Sequence, residues 1–505
     1  MALQWAALNN RVAAATLLLE RGADVNGADG QGQTALHWAA VRGAVPVSEL
    51  LLRAGARLDR ADSRGYTPCH VAAQYGHAPV LFHYAVRWDA NLDVLDGDGR
   101  TPLHWAAYKG FADALRLLLM LDGESLRADS EGCTPLHWAA IKGNAEALYL
   151  LAQAGGAAAL AATDSQGATA AQLAQEKGHG ALASYLASQQ RAAGRKAGAT
   201  QRRWLGLVTA GGICALLVLF LNACLLAPAL APPSPAACLA AYLVVGCVGV
   251  GLLFMFRAAQ RDPGSLRSGL EAVPLTRPGS SARGAAARLD VPALWAGNWG
   301  ALCVTCKLVR PLGAKHCTVL NRCVARFDHF CPWVGNTIGK HNHRDFLLFL
   351  LLQSVALIVS CASAVARIYG SGLDLTHLAA TAPGLLSFLA VDLAVALPVV
   401  MLTVAQVTQV ARALTTNELA NMHRYPYLRG REGQFVNPFD RGCAANLRSF
   451  MLLNPETRDR EVEYSEGTHG ETDTELLTLL SGRAAAGAPL RISVLPASAS
   501  AGGAA

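Results

Sequence analysis

The chain has 505 residues, enough for two or three domains, and is 52% hydrophobic but only 16% charged. That is more apolar than an ordinary soluble protein. A net charge of +7 is spread out, with no lysine-rich run or basic–aromatic stripe, so no nucleic-acid partner is expected. Thirteen cysteines in a chain this long do not make a disulfide scaffold, and the opening residues do not read as a cleavable signal peptide.

The first third repeats itself. "TALHWAAVRG" (34–43), "TPCHVAAQYG" (67–76), "TPLHWAAYKG" (101–110) and "TPLHWAAIKG" (134–143) align at spacings of 33, 34 and 33 residues. In each copy Thr opens a helix, and in three of them Pro fits its first turn. The paired alanines let neighbouring helices approach, and Gly43, Gly76, Gly110 and Gly143 break the chain between two helices. Weaker copies stand at 2–11 and 168–179. The first lacks its leading turn, so either the cap is irregular or the N-terminus is truncated. This period and its T-P-L-H-x-A signature resemble the ankyrin family over about 190 residues. An ankyrin stack buries a core between repeats and leaves a concave binding face. His37, His70, His104 and His137 belong to the signature and read as repeat packing, not as metal ligands.

No charged residue occurs from Trp204 to Phe256. About 20 residues cross a bilayer, so the run holds two spans, 204–226 and 236–256, around a proline-rich turn. Two further spans are expected at 346–366 and 385–408. The last contains Asp392, which is either a functional acid or a hydrogen-bonding residue within the bundle. Cys214, Cys224, Cys238 and Cys247 read as packing residues. Basic flanks (Arg202, Arg203, Arg257, Arg261, Lys340, Arg344, Arg412) place the repeats, the segment between spans two and three and the C-terminal tail in the cytosol. Residues 264–290 read as a flexible linker, and the tail beyond about 455 as disordered.

"CVTCKLVRPLGAKHCTVLNRCVARFDHFCPWVGNTIGKHNHRDF" spans 303–346. Cys303-x-x-Cys306 is a metal knuckle, and His316 and Cys323 can complete a tetrahedron. Such a site can order a short, core-poor loop. Cys331 has no second knuckle to pair with and follows Asp328 and His329. A free thiol with a pKa of roughly 8.5 needs an adjacent imidazole to supply thiolate at neutral pH, and a carboxylate can fix the imidazole tautomer. Spacing alone leaves nucleophile and metal ligand equally open for Cys331.

This segment resembles the cysteine-rich domain of DHHC protein S-acyltransferases (palmitoyltransferases), here with Asp-His-Phe-Cys in place of the family motif. "RDPG" (261–264), "TTNE" (415–418) and "NPFDRGCAAN" (437–446) match family motifs that flank it. With repeats in front, the chain up to about 450 resembles the huntingtin-interacting, ankyrin-repeat branch. The resemblance implies Cys331 as acyl-accepting nucleophile, His329 as its base and Asp328 as orienter. Palmitoyl-CoA is then the donor, and cysteine thiols of protein substrates are the acceptors. Thr416 and Asn446 become supporting residues, and Trp333 lies near the acyl cavity. Family habit favours the Golgi or another endomembrane, with both termini cytosolic as the basic flanks and the even number of spans place them. In this branch an Asn and a Trp of early repeats dock a Gln-Pro-containing substrate motif; the matching residues are Asn10 and Trp38.

The sequence also departs from the family. A second zinc site is expected at four positions that here read Cys317, Leu320, Phe330 and Thr337, so a single structural zinc on Cys303, Cys306, His316 and Cys323 is expected. Gly313 replaces a usual Arg, and four spans stand where the branch has six. The expected class is mainly α: an N-terminal ankyrin-repeat solenoid, then a four-helix transmembrane bundle with a cytosolic zinc-binding cysteine-rich domain. Its order is repeats (1–190), spans one and two (204–256), linker (257–298), cysteine-rich domain (299–345), spans three and four (346–410), flanking motifs (411–454) and tail (455–505). A catalytically inactive ankyrin adaptor is the competing reading. An ankyrin-bearing channel is disfavoured because no charged pore ring or re-entrant filter is evident.

Overall fold

A computed structural model describes residues 1–121, 126–194, 199–226, 232–266, 294, 297–430 and 433–452. Most of the expected linker and all of the expected tail lie outside the described residues. The chain divides into two units, one built on Met1–Ala187 and the other on the spans and the Cys/His segment.

In the first unit, helix pairs follow the repeats: Ala35–Arg42 with Val45–Arg53, Pro68–Gln74 with Ala78–Trp88, Pro102–Lys109 with Ala112–Met120, and Pro135–Lys142 with Ala145–Ala161. Ala2–Leu8 with Val12–Glu20 precedes them, and Ala170–Glu176 with Gly180–Gly194 follows. Each opening Thr is extended and caps its helix together with a His three residues on. Thr34 Oγ1 lies 2.9 Å from His37 Nδ1, while His37 Nε2 reaches Tyr66 O of the next repeat at 2.9 Å. His70 and His104 reach Arg100 O and Cys133 O in the same way. These imidazoles are therefore fasteners between repeats, as the packing reading requires. The left-handed position between paired helices is held by Gly43 at φ 76° and by its counterparts. In the first copy Asn10 takes it at φ 52°, a conformation that Asn adopts more readily than most side chains.

In the second unit, among the described residues, four helices are long and apolar enough to cross a membrane: Trp204–Cys224, Pro235–Gln260, His343–Ser371 and Pro383–Ala411. The last two extend past the expected bounds because hydropathy marks the hydrocarbon segment, whereas the helix continues while its backbone remains paired. A short helix, Leu375–Thr381, joins them. Phe220, Val244, Ala356, Leu385 and Phe388 share one apolar core. Cys224 and Cys247 pack into it, whereas Cys214 is exposed and Cys238 half-buried, which corrects the packing reading for those two. Asp392 is buried and accepts hydrogen bonds from Ser360 Oγ at 2.7 Å and Cys361 Sγ at 3.0 Å, so it serves as a bond within the bundle.

Between spans two and three lie three two-stranded antiparallel hairpins: β1 (Leu302–Cys303) with β2 (Leu308–Val309), β3 (Lys315–Cys317) with β4 (Arg322–Val324), and β5 (His329–Cys331) with β6 (Asn336–Ile338). None shares a ladder with another, so this segment has no common sheet to hold it. It is tied instead to the end of span two. Asn336 Nδ2 lies 3.0 Å from Ala258 O, 3.1 Å from Ala259 O and 3.0 Å from Arg261 O, and Asn342 Nδ2 reaches Ala258 O at 3.0 Å. These side chains satisfy carbonyls that a helix end leaves unpaired. Asp262 Oδ1 accepts the Gly264 N–H at 2.8 Å, turning the chain so that Gly264 O takes the Ala325 N–H and Leu266 N–H meets Cys323 O.

Candidate active site and metal cluster

Side chains alternate across a strand. His329 and Cys331 therefore share one face of β5, and Phe330 takes the other. Cys331 is only 5% exposed and packs with Met255, Ala258, Val334, Ile338, Phe346, Phe349 and Leu350, an apolar cluster at the ends of spans two and three. The His329 ring meets Phe346 edge-on at 5.3 Å.

His329 Nδ1 donates to Asp328 Oδ2 at 2.6 Å. The Thr416 N–H donates to Asp328 Oδ1 at 2.6 Å, and Thr416 Oγ1 lies 3.0 Å from Oδ2. Burial by itself would raise the Asp328 carboxyl. The facing imidazoles of His343 and His329 and the Thr416 N–H outweigh it and hold the group well below the usual carboxylate range. Burial likewise lowers His329, but its hydrogen bonds with Asp328 and Cys331 outweigh that and raise it to about 9. The imidazole is thus charged at neutral pH and aimed along the strand at the thiol, an arrangement suited to thiol nucleophilic chemistry.

Gln406, on the fourth span, and His343, the first residue of the third, also belong to this network and escaped sequence reading. Gln406 Nε2 is 3.3 Å from Asp328 Oδ2, and Gln406 Oε1 is 2.9 Å from His343 Nε2. Asn446 Nδ2 donates to Ala411 O at 2.9 Å, tying the helix Cys443–Leu452 to the end of the fourth span. Trp333 is 64% exposed and lies outside the apolar cluster around Cys331. Gly313 sits where an added Cβ would stand 3.3 Å from Glu418 Oε1; Glu418 instead accepts from Thr415 and from the Tyr427 hydroxyl at 2.9 Å.

The metal knuckle is assembled by two hairpins. β1–β2 carries Cys303 and Cys306 on its strand end and turn, and β3–β4 sets His316 directly opposite Cys323. Their four donor atoms lie within 4.8 Å of one another, and His316 Nδ1 is 3.6, 3.2 and 3.9 Å from the sulfurs of Cys303, Cys306 and Cys323. A tetrahedron with ligand distances of about 2.0–2.3 Å has edges of roughly 3.6 Å, so three thiols and an imidazole at this spacing fit a metal ion. Among the described residues this is the one cluster of its kind.

Cys317, Leu320, Phe330 and Thr337 also converge. Phe330 faces Thr337 across β5–β6, Thr337 Oγ1 lies 3.1 Å from Cys317 Sγ, and Leu320 packs on Cys317 and Phe327. Cys317 and Thr337 are buried, but Leu320 and Phe330 only half-buried. In the repeats, Trp38 Nε1 donates to Asp29 Oδ2 at 3.2 Å, and Trp105 and Trp138 make the same bond to Asp96 and Asp129 at 2.9 Å. Asn10 is exposed at its turn.

Repeats, four apolar helices and a Cys/His segment with a cradled Asp-His-x-Cys run fit a multi-pass membrane protein with an ankyrin domain and a thiol-nucleophile site. Residues 299–423 match the DHHC palmitoyltransferase family, and segments between residues 1 and 196 match ankyrin repeats. "Probable protein S-acyltransferase 23" of Arabidopsis thaliana is 39% identical over 372 residues, covering 70% of this chain and 67% of that protein. The chain belongs to the DHHC palmitoyltransferase family, a family of protein S-acyltransferases. "Palmitoyltransferase ZDHHC17" of Danio rerio is 33% identical over 181 residues, 32% of this chain and 29% of that protein. "Palmitoyltransferase ZDHHC8" of Homo sapiens is 37% identical over 155 residues, 30% of this chain and 19% of that protein. The chain thus spans less than a third of the length of these two relatives.

Proposed function

We propose that the enzyme moves palmitate from palmitoyl-CoA, through an acyl-Cys331 intermediate, to cysteine thiols of proteins recruited by the ankyrin repeats. The carrying observation is that Cys331 shares a strand face with a charged His329 yet packs among apolar residues at the ends of two spans. The Cys331 thiolate attacks the thioester carbonyl, a carbon–sulfur bond forms, and the CoA thiolate leaves with a proton from His329. A substrate thiol then gives its proton to His329 and attacks the acyl-Cys331 carbonyl, and the Cys331 thiolate departs. Asp328, supported by Thr416, holds the imidazole with Nδ1–H on the carboxylate, which leaves Nε2 on the Cys331 side for this exchange.

Cys303, Cys306, His316 and Cys323 would hold one structural zinc, which supplies a cross-link and takes no part in transfer. The active face then lies on the cytosolic side, with both termini, in a Golgi or other endomembrane, and Asn10 and Trp38 dock substrate. Phe330, Leu320 and Thr337 at the positions of a second zinc site favour a rival reading, an inactive adaptor. The intact contacts of Asp328, His329 and Thr416 weigh against it. A clickable palmitoyl-CoA followed by hydroxylamine separates the two. The wild-type chain takes a hydroxylamine-labile label and Cys331→Ser takes none; an unlabelled wild type would leave the adaptor reading standing.

A further inference from the structure

Gln406 sits in the fourth span, 1% exposed, among polar atoms that need it one way round. Its Nε2 is 3.3 Å from Asp328 Oδ2, 2.9 Å from Thr416 Oγ1 and 3.2 Å from Gln409 Oε1. Thr416 Oγ1 in turn lies 3.0 Å from Asp328 Oδ2 and 2.9 Å from Gln409 Oε1. Counted as protons, two amide hydrogens of Gln406 and one hydroxyl hydrogen of Thr416 serve three acceptors: the carboxylate oxygen, the Gln409 carbonyl and the Thr416 oxygen. With the amide nitrogen inward the count closes. Flipped, Gln406 would turn a carbonyl oxygen on the buried Asp328 carboxylate, oxygen against oxygen at 3.3 Å.

What distinguishes the two orientations is on the other side of the amide. His343 Nε2 lies 2.9 Å from Gln406 Oε1. With a proton on Nε2 it donates to that oxygen and would clash with an amide nitrogen. The His343 ring is buried, follows the Asn342 N-cap of the third span and meets Phe450 edge-on at 5.1 Å, so its own position is fixed by packing.

We propose that His343 and Gln406 form a positioning pair for acyl transfer: His343 sets the Gln406 amide, and Gln406 holds the Asp328 carboxylate on the His329 imidazole. This rests on the reading of Cys331 as nucleophile. Neither residue touches the acyl group, so the pair acts on the rate of the chemical step and not on donor binding.

The test is single-turnover autoacylation of the full chain in detergent or nanodiscs, read as rate at saturating palmitoyl-CoA, half-saturating concentration and final labelled fraction. Gln406→Met should slow the rate roughly tenfold to a hundredfold, as expected for losing a hydrogen bond to a buried charge. His343→Phe should slow it too, and the double variant should lose less than the product of the two single losses, since the two side chains share one bond while the His343 ring also faces Asp328. His343→Gln, whose amide N–H can stand in for Nε2–H, should recover part of the rate lost in His343→Phe. Half-saturation and labelled fraction should stay at wild-type values, which a folding defect would not allow. A Gln406→Met rate within twofold of wild type, additive losses in the double variant, or equal impairment by His343→Gln and His343→Phe would overturn the pair. Label on Cys331→Ser in parallel would instead overturn the nucleophile reading beneath it.

Discussion

His316 and Cys323 stand directly opposite each other across β3 and β4, so one hairpin delivers two metal donors from facing strands. Cys303 and Cys306 complete the set from a separate hairpin that shares no ladder with the first. An ion held at this point would cross-link the two hairpins. One zinc per purified chain is therefore expected, and Cys323→Ala should lose both the metal and most of the soluble expression. Metal analysis by mass spectrometry checks this; a stoichiometry near two would mean that other residues complete a second site.

Phe330→His should not recover a second zinc. Leu320 and Thr337 would still offer no thiolate, and the new ring would face Thr337 in a half-buried site. The triple change Leu320→Cys, Phe330→His, Thr337→Cys adds three donors to Cys317 and should raise the content toward two per chain. If the single change binds a second ion, the account of these four positions fails.

The charge on His329 gives stability a definite pH dependence. Its folded value of about 9 lies above the ordinary value of about 6.5. The imidazolium contribution is therefore fully present below about pH 6.5 and is lost as pH rises through about 9. Thermal melting of wild type and His329→Gln should differ most below about pH 6.5, less at neutral pH, and converge above about pH 10. A gap that widens with rising pH would refute the sign.

Asn336→Ala should cost about 1–3 kcal/mol, because carbonyls at the end of the second span lose their donor. Asn336→Asp should be worse, since a carboxylate would face the same oxygens. Melting temperatures in matched detergent check both, and an Asp variant more stable than the Ala variant would contradict the capping role.

Docking of Gln-Pro-containing peptides on the repeats should weaken at least tenfold in Trp38→Ala and stay unchanged in Trp138→Ala. The two tryptophans make the same bond to an aspartate, so a difference between them would reflect the site and not the stack. Isothermal titration with the full chain measures it; equal affinity for both variants would remove Trp38 from the docking surface.

The repeats were legible because their signals are local: a capping Thr, a His three residues on and a left-handed Gly recur in one short segment. The metal set was legible for the same reason, since Cys303 and Cys306 lie two residues apart and His316 and Cys323 on one hairpin. Gln406 was not. It sits 78 residues from Asp328 and 63 from His343, and within an apolar span it reads only as a polar interruption. The ties of Asn336 and Asn342 to the second span were likewise invisible, because those carbonyls lie more than 70 residues earlier. Cys214 was misread: an apolar span shows that a cysteine is in the membrane, not which way it faces.

The third and fourth spans are each 29 residues long. At about 1.5 Å per residue such helices measure roughly 43 Å, well beyond the ~30 Å of hydrocarbon they cross. They must tilt or stand proud of the bilayer, and the degree of tilt depends on its thickness. His343 begins one of these helices and Gln406 lies near the end of the other. Any change in their relative tilt is thereby a displacement within the hydrogen bond behind Asp328. Lipid thickness becomes a variable of the active site, and autoacylation rates in vesicles of short- and long-chain lipids should differ even at equal donor occupancy.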